Sequence, residues 1–369
     1  MNVLILTNHL NIGGITRYVL NLSYGLRKRG HNVFVGSLAG GGEKFLRENG
    51  IGFLELPLKT KSIFSPCLVS AYFILKGFIH RENIGLIHAQ TRITQFLAFI
   101  LSKRLNIAYV STFHGFYRPH RMRKKIPCLG DLTVAISQAV GRHLIEDFGL
   151  EKKNLRVIYN SVSPAMGPCP EAADAKDYSC LKGNPTLGII ARLSGEKGHL
   201  LLFSAFRELI KDYPEARLLV VGTGKKEGEL KEWVKSNSLG THITFLGDVP
   251  ELTPLFRILD ISVLPSTLEG LGFSILEAQA NGVPVVASSA GGITEVIKDR
   301  ETGILAEPGD AGGLYRGIKL LLEDAALREG VINNSKMQIE EKFNLDKMLS
   351  LTESVYKEAL SERKENGAD

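Results

Sequence analysis

Two carboxylates and two cations in the second half of the sequence are placed where they could do chemistry. Glu269 and Glu277 are separated by seven residues in Leu264-Pro-Ser-Thr-Leu-Glu-Gly-Leu-Gly-Phe-Ser-Ile-Leu-Glu-Ala278, and Gly270 and Gly272 between them expose backbone amides at the start of a helix. Glu269 precedes that helix and can reach sugar hydroxyls. Glu277 lies about one turn inside and can take the two hydroxyls of a ribose. Read singly, Glu269 is an N-terminal charge favoured by the helix dipole and Glu277 a surface residue. Both together with the glycines point to a ligand instead. Arg192 ends the strand Leu187 to Ala191, and Lys197 follows five residues later, just ahead of a helix starting near His199. Two cations at a helix N-terminus can hold a diphosphate, because the dipole and the free amides there favour anions too. The alternative for a lone Arg and Lys is a solvated basic loop.

Other chemistries have weaker support. The sequence contains no Asp-x-Asp, the carboxylate pair of metal-dependent transferases, and its nine histidines show no metal-ligand spacing. The expectation is that cations replace a metal and that no cofactor is held. Gly222-Thr-Gly224-Lys-Lys-Glu-Gly228 imitates a dinucleotide fingerprint, but its third glycine comes one residue late and no first strand of a nucleotide-binding unit opens there, so NAD is not expected. Cys67, Cys128, Cys169 and Cys180 lack the paired spacing of a zinc or redox site and read as reduced thiols of a cytosolic protein.

These residues need elements to hold them. Short β-branched runs alternate with amphipathic stretches, the pattern of a parallel sheet covered by helices on both faces. In the first half the strands read as Asn2 to Thr7, Asn32 to Ser37, Gly52 to Leu56, Gly85 to His88, Ala108 to Thr112, Leu132 to Ile136 and Arg156 to Tyr159. Ile15 to Arg29 between the first two reads as a helix, with Tyr18, Val19, Leu22 and Leu26 on its buried face and Gly30 at its end. After a Pro-rich interval the alternation resumes with Thr186 to Ala191, Arg217 to Val221, Ile243 to Leu246, Ile261 to Leu264, Val283 to Ala287 and Gly303 to Ala306. The expected organisation is a first Rossmann-like domain over 1–163, a linker over 164–185, a second over 186–345, and a final helix over 346–369 packing back on the first domain. At 369 residues the chain is the right length for two such domains. Ligands of doubly wound sheets bind outside the carboxyl ends of the strands, which places the expected site in the cleft between the domains.

The charge is unevenly shared. Residues 1 to 163 carry 22 Lys and Arg against 8 Asp and Glu, or +14, while the remainder carries 23 against 31, or −8. A basic first domain suggests an anionic partner, such as a phosphorylated acceptor, an acidic glycan or an anionic membrane surface. Phe116-Tyr-Arg-Pro-His-Arg-Met-Arg-Lys-Lys125 concentrates Arg118, Arg121, Arg123, Lys124 and Lys125 beside aromatics. It reads as a grip for anionic lipid or acceptor or, equally, as a solvated charged loop; nucleic acid is not expected, because the interleaving is confined to this one segment. The N-terminus opens on a strand rather than a signal peptide, and the longest apolar segment, Cys67 to Ile79, is too short to span a bilayer. A cytoplasmic protein is expected, peripheral on the inner face of the plasma membrane if it meets lipid.

The combined motifs resemble the retaining glycosyltransferase family 4, of GT-B fold, over nearly the whole chain. The resemblance is carried by Glu269-Gly-Leu-Gly-Phe-Ser-Ile-Leu-Glu-Ala278 with its paired glutamates, and by Ile12-Gly-Gly-Ile-Thr-Arg-Tyr18, Thr112-Phe-His-Gly115, Ile190-Ala-Arg-Leu-Ser-Gly-Glu-Lys-Gly198, Val220-Val-Gly-Thr-Gly224, Phe245-Leu-Gly247, Val283-Pro-Val-Val-Ala-Ser-Ser-Ala-Gly-Gly292 and Glu307-Pro-Gly-Asp310. It implies a metal-independent transfer of sugar from a nucleotide-diphosphate donor to a glycan or lipid-linked acceptor, with the anomeric configuration retained and no covalent enzyme intermediate, in cell-envelope polysaccharide or lipopolysaccharide synthesis. It also implies roles for single residues. Gly13 and Gly14 match the glycine turn near the reacting carbon, Arg192 and Lys197 the diphosphate ligands, Glu277 the ribose ligand, Glu269 the contact to the donor sugar, and His114 a histidine near that sugar. Gly272, Phe273 and Ser274 match positions that offer backbone amides to sugar or phosphate. Two positions depart from the common pattern: Tyr159-Asn-Ser-Val-Ser163 replaces the frequent Asn-Gly-[Ile/Val]-Asp, and Leu271 stands where Phe is frequent. The competing readings are a catalytically inactive nucleotide-sugar-binding module and another GT-B enzyme, such as a phosphorylase or a nucleotide-sugar epimerase; the glutamate pair argues against an epimerase, and the lack of a lysine-bound cofactor signature against a phosphorylase.

Overall fold

A computed structural model describes residues 1–60, 62–119, 121–162 and 177–365, without the side chains of 364 and 365. The chain forms two compact units, Met1–Ser161 with Leu345–Asp369, and Val162–Asn344.

In the first unit β1 (Asn2–His9), α1 (Gly14–Lys28), β2 (Asn32–Leu38), α2 (Gly42–Glu48), β3 (Gly52–Glu55), α3 (Cys67–Arg81), β4 (Leu86–Ala89), α4 (Arg92–Leu105), β5 (Ala108–Phe113), α5 (Arg121–Lys125), β6 (Leu132–Ala135), α6 (Gln138–Phe148) and β7 (Leu155–Val157) follow in order. The seven strands lie as β3-β2-β1-β4-β5-β6-β7, all pairs parallel. Every residue of β4, β5 and β6 is buried, as strands covered on both faces must be. Leu4, Leu6, Ile87, Leu75, Leu97 and Tyr109 belong to the core between the sheet and α3 and α4. Local chemistry sets the helix ends: Thr91 and Thr94 form a capping box on α4, the Ser137 hydroxyl accepts the Val140 N–H at the start of α6, and Gly149 closes α6 in the left-handed region.

The second unit runs β8 (Thr186–Ile190), α7 (His199–Asp212), β9 (Arg217–Val221), α8 (Glu227–Ser236), β10 (Ile243–Gly247), α9 (Thr253–Phe256), β11 (Ile261–Leu264), α10 (Phe273–Ala280), β12 (Val285–Ser288), α11 (Ile293–Val296), β13 (Ile304–Ala306), α12 (Ala311–Glu323) and α13 (Ala325–Lys342). Its six parallel strands lie as β10-β9-β8-β11-β12-β13. Leu187, Ile189, Phe203, Phe206, Leu218 and Val263 belong to its core.

The last helix, α14 (Leu345–Glu365), belongs to the first unit. Leu349 packs on Gly25, where a Cβ would come within 2.3 Å of it. Arg29 pairs with Asp346 at 3.0 Å and with Glu353 at 2.9 Å, Arg156 pairs with Glu358, and Arg363 donates to the Ser102 carbonyl at 2.9 Å.

Residues 164–176 of the expected linker lie outside the described residues, as does Cys169. Its described end, 177–185, is tied into the second unit: the Asn184 N–H donates to the Glu215 carbonyl at 3.0 Å, and Tyr178 is buried. Cys67, Cys128 and Cys180 are free thiols. No described helix is long and apolar enough to cross a membrane.

Candidate active site

In each sheet the strand order reverses at one point, between β1 and β4 in the first unit and between β8 and β11 in the second. Connections from two strands that leave in opposite directions open a crevice at the carboxyl edge there. The sequence-selected residues of the second unit sit on the two loops that leave β8 and β11 and on the first two turns of α10.

The loop after β8 carries Arg192 and then a short 3-10 turn, Gly195–Lys197, that leads into α7. The loop after β11 carries Ser266 and Glu269 and leads into α10. Two contacts join the loops. The Thr267 N–H donates to the Glu196 carbonyl at 2.9 Å, and Gly198 lies so close to the Pro265 carbonyl that a Cβ would come within 2.1 Å of its oxygen. Gly198 also holds φ +69°, which any other residue adopts at a cost. Position 198 therefore requires glycine on two counts, and the close approach brings Lys197 to Glu269.

Lys197 Nζ pairs with Glu269 Oε2, and both side chains are largely buried, at 18% and 14% exposure. Glu269 Oε1 also accepts the Gly270 N–H at 3.2 Å. Arg192 is unlike its neighbours: its side chain is 70% exposed and pairs with Glu196 at 2.9 Å, while the Ser194 hydroxyl donates to the same carboxylate at 2.8 Å. Glu196, Ser194, Ser266 and Gly198 are not singled out by sequence reasoning. Only the glycine leaves a signal there, in Glu-Lys-Gly-His just before a helix.

Gly272, at φ +90°, caps the start of α10. Helix geometry leaves the amides of Phe273 and Ser274 without an intrahelical carbonyl, and the segment ahead of them is held because the Gly292 N–H donates to the Glu269 carbonyl at 2.9 Å. Glu277 is buried on the second turn of α10. The structure thus brings Lys197, Glu269, Gly270 and Gly272 together at the start of α10 with Phe273 and Ser274, while Arg192 is exposed and Glu277 is buried on the second turn of α10.

The first unit places Gly13, Gly14 and His114 at its own carboxyl edge. Gly13, at φ +155°, caps α1, and a Cβ there would meet nothing within 4 Å. His114 follows β5; its Nε2 lies 2.9 Å from Gln90 Oε1, just beyond β4, and its ring meets the edge of Tyr18 at 4.8 Å. With a carbonyl oxygen as partner, Nε2 carries the proton and Nδ1 is an acceptor. Behind it, buried His88 lies 2.7 Å from both Tyr356 Oη and Thr112 Oγ1. Burial pushes both histidines down to about 3, with the neighbouring His114 adding to the effect on His88. Gln90, His88 and Tyr356 carry no sequence signal, since strand β4 and helix α14 are 268 residues apart at the His88–Tyr356 bond.

Arg121 to Lys125, expected as loop, form the single turn α5, none of it buried. Arg118, Arg121, Lys124 and Lys125 are exposed, and Arg123 lies over the Tyr117 ring at 4.8 Å. Among the described residues, no three His, Cys, Asp or Glu side chains gather to hold a metal ion.

Comparison with known proteins gives this arrangement its context. A model of glycosyltransferase family 4 matches residues 12–165, and a model of glycosyl transferases group 1 matches residues 173–338. The N-acetyl-alpha-D-glucosaminyl L-malate synthase of Bacillus anthracis is 27% identical over 97% of this chain and 97% of its own. The lipopolysaccharide core biosynthesis mannosyltransferase of Rhizobium leguminosarum is 33% identical over 56% of this chain and 61% of its own. The HepE protein of Anabaena, solved with UDP and glucose, superposes with a TM-score of 0.79 at 22% identity, covering 97% of this chain and all of that one.

Proposed function

Since the chain belongs to the glycosyltransferases that join a family 4 domain to a group 1 domain, in the GT-B fold, we propose that it moves a sugar from a nucleotide-diphosphate donor to a glycan or lipid-linked acceptor, retaining the anomeric configuration and using no metal ion. The observation that carries this reading is the Lys197–Glu269 pair at the reversal point of the second sheet, beside the first amides of α10.

Glycosyl transfer breaks the bond from the sugar's anomeric carbon to phosphate oxygen while the sugar becomes oxocarbenium-like. Charge gathers on the departing diphosphate. Lys197, Arg192 and the amides of Phe273 and Ser274 are the groups proposed to receive it, each typically contributing about 3 kcal/mol in a preorganised site. Lys197 has three N–H bonds, so it can keep Glu269 with one and turn the others to phosphate. Glu269, oriented by Lys197 and the Gly270 amide, accepts a sugar hydroxyl and positions the donor without attacking it. Glu277 takes the ribose, and Gly13 and Gly14 leave space for the donor to approach backbone. The role proposed for His114 is that of a neutral acceptor of a sugar hydroxyl through Nδ1. The acceptor oxygen bonds to the anomeric carbon on the face the phosphate leaves, and its proton passes to the departing phosphate.

A polyanion-binding first unit is supported by its net charge: 22 Lys and Arg against 8 Asp and Glu over residues 1 to 161, and 4 against 6 over 345 to 369, leave +12. Malate, in the name of the Bacillus anthracis relative, is an anion, and the name of the Rhizobium leguminosarum relative assigns it to lipopolysaccharide core biosynthesis. The proposed setting is envelope polysaccharide or lipopolysaccharide synthesis in the cytoplasm, at an anionic membrane surface. Arg118, Arg121, Arg123, Lys124 and Lys125 would face acceptor or lipid.

The test is nucleotide release from a panel of UDP, GDP and ADP sugars with chelator present. One donor should be turned over at an undiminished rate, and Glu269→Ala and Arg192→Ala should each slow it about 100- to 1000-fold. Wild-type turnover in both variants would remove the assignment of these residues, and loss of all turnover with chelator would remove metal independence.

A further inference from the structure

Helix α3 has one face too many. Leu68, Ala71, Leu75, Phe78 and Ile79 are buried in the first unit's core, and a helix with one such stripe ordinarily turns polar residues outward. Here Val69 and Phe73, one turn apart, are 61% and 64% exposed, with exposed Ile74 beside them, and Phe64 in the preceding turn is 78% exposed. These include the three most exposed large hydrophobic side chains among the described residues. Scattered exposed apolar residues need no explanation, but a contiguous stripe of them does.

The charge around the stripe is one-sided. From Leu56 to Gly130 the sequence has twelve Lys and Arg and a single acid, Glu82, which pairs with Arg81 at 2.9 Å. The start of α3 and the turn α5 both follow strands of one parallel sheet, so both lie at its carboxyl edge. They are linked through α4, which packs against α3 and whose Arg92 donates to the Ile126 and Pro127 carbonyls at 2.6 and 2.8 Å, directly after α5. Met122 of α5 is exposed among Arg121, Lys124 and Lys125.

We infer that α3 and the turn before it lie in the interfacial zone of an anionic bilayer, with Phe64, Val69, Phe73 and Ile74 below the headgroups and α5 on the lipid phosphates. An apolar stripe whose flanks are basic apart from one paired acid is what such an interface selects. A second copy of the chain fits poorly, because a two-fold contact would set two polybasic surfaces against each other. The inference deepens the membrane setting proposed above and does not depend on the donor chemistry.

The experiment is co-sedimentation of the full chain with vesicles of phosphatidylglycerol and phosphatidylcholine, or of phosphatidylcholine alone, with donor turnover followed on the same samples. The wild type should partition at least tenfold more onto the anionic vesicles at low salt. Val69→Ser with Phe73→Ser should lose at least tenfold of that binding with turnover and thermal midpoint unchanged. A Phe73→Trp variant should gain a blue-shifted emission on adding vesicles. Vesicle binding that the serine pair leaves intact, or an emission of the Phe73→Trp variant that bound vesicles leave unshifted, overturns the assignment to α3. Absence of binding, or a dimer that the serine pair dissociates, overturns the membrane as the partner; in either case turnover reports the donor reading separately.

Discussion

The groups that leave β8 and β11 at the carboxyl edge of the second unit's sheet are charged and internally paired, whereas those that directly follow β4 and β5 in the first, Gln90 and His114, are neutral and polar. In the second, Lys197 and Glu269 meet across two loops, and Arg192 stands exposed beside them with Glu196. In the first, His114 leans on Gln90, and His88 behind it is held between Tyr356 and Thr112. A paired charge keeps its cation ready for a polyphosphate at small reorganisation cost, because the partner carboxylate has already drawn it from water. A neutral histidine is instead a directional acceptor that does not compete for the anion. The same topology thus presents two different chemistries at equivalent edges.

The sharpest way to break this comparison is Tyr356→Ala. It removes a fully buried side chain and leaves His88 short of a partner, which should cost the first unit about 3–5 kcal/mol. The chain's single tryptophan, Trp233, packs on Phe203 in the second unit. Urea unfolding should therefore separate, with the far-ultraviolet circular dichroism losing an early fraction while Trp233 fluorescence keeps its midpoint. A common shift of both signals would show that the units do not unfold independently.

Gly198→Ala probes the charged edge. Left-handed backbone and collision with the Pro265 carbonyl should cost about 1–3 kcal/mol, now seen by Trp233, and should lower turnover because Lys197 moves from Glu269. Unchanged turnover would mean that the pair does not need the two loops to be joined.

Acid separates the edges less abruptly. His88 and His114 stay unprotonated in the folded chain down to about pH 3, whereas in the unfolded chain a group of ordinary pKa 6.5 takes up its proton as pH falls through that value. The unfolded state then binds more protons between those limits, so stability is full above pH 6.5 and falls as pH drops towards 3, by up to about 1.4 kcal/mol per pH unit for each histidine. The second unit has one such group, His199, pushed down to about 4 by burial, with Lys197 adding to it. The first unit should thus lose stability more steeply in acid, and a Tyr356→Phe variant should leave that order intact. The smallest effect is expected from Glu196→Gln: its pair with Arg192 is exposed, and the unfolding free energy should change by no more than about 0.5 kcal/mol.

Much of this fold was legible because β-branched runs recur in the sequence; all thirteen strands fall where the alternation places them. Their ends shift by a residue or two, as at Leu155–Val157, where the expected strand began and ended later. The turns α5, α9 and α11 were not legible, since four or five residues carry no helical period. For the site, Arg192, Lys197, Glu269 and Glu277 could be picked out because each lies near a helix start read from the sequence. That Lys197 meets Glu269, 72 residues away, depends on which strands adjoin in space, and no local pattern encodes it. Gln90 and Tyr356 were illegible for the same reason: their meaning comes from a neighbour on another element.

The position of α14 bears on how the molecule is made. The helix that closes the back of the first unit leaves the ribosome only after the whole of the second unit. During synthesis the second unit can complete its core while the first still lacks Tyr356, Leu349 and the Arg29 carboxylate partners. The nascent first unit therefore exposes apolar surface for as long as about 180 residues take to be translated, at roughly 5–20 residues per second. A circular permutant that begins at Leu345 and joins the old ends would shorten that interval to nothing, and its yield without chaperones would measure what the native order costs.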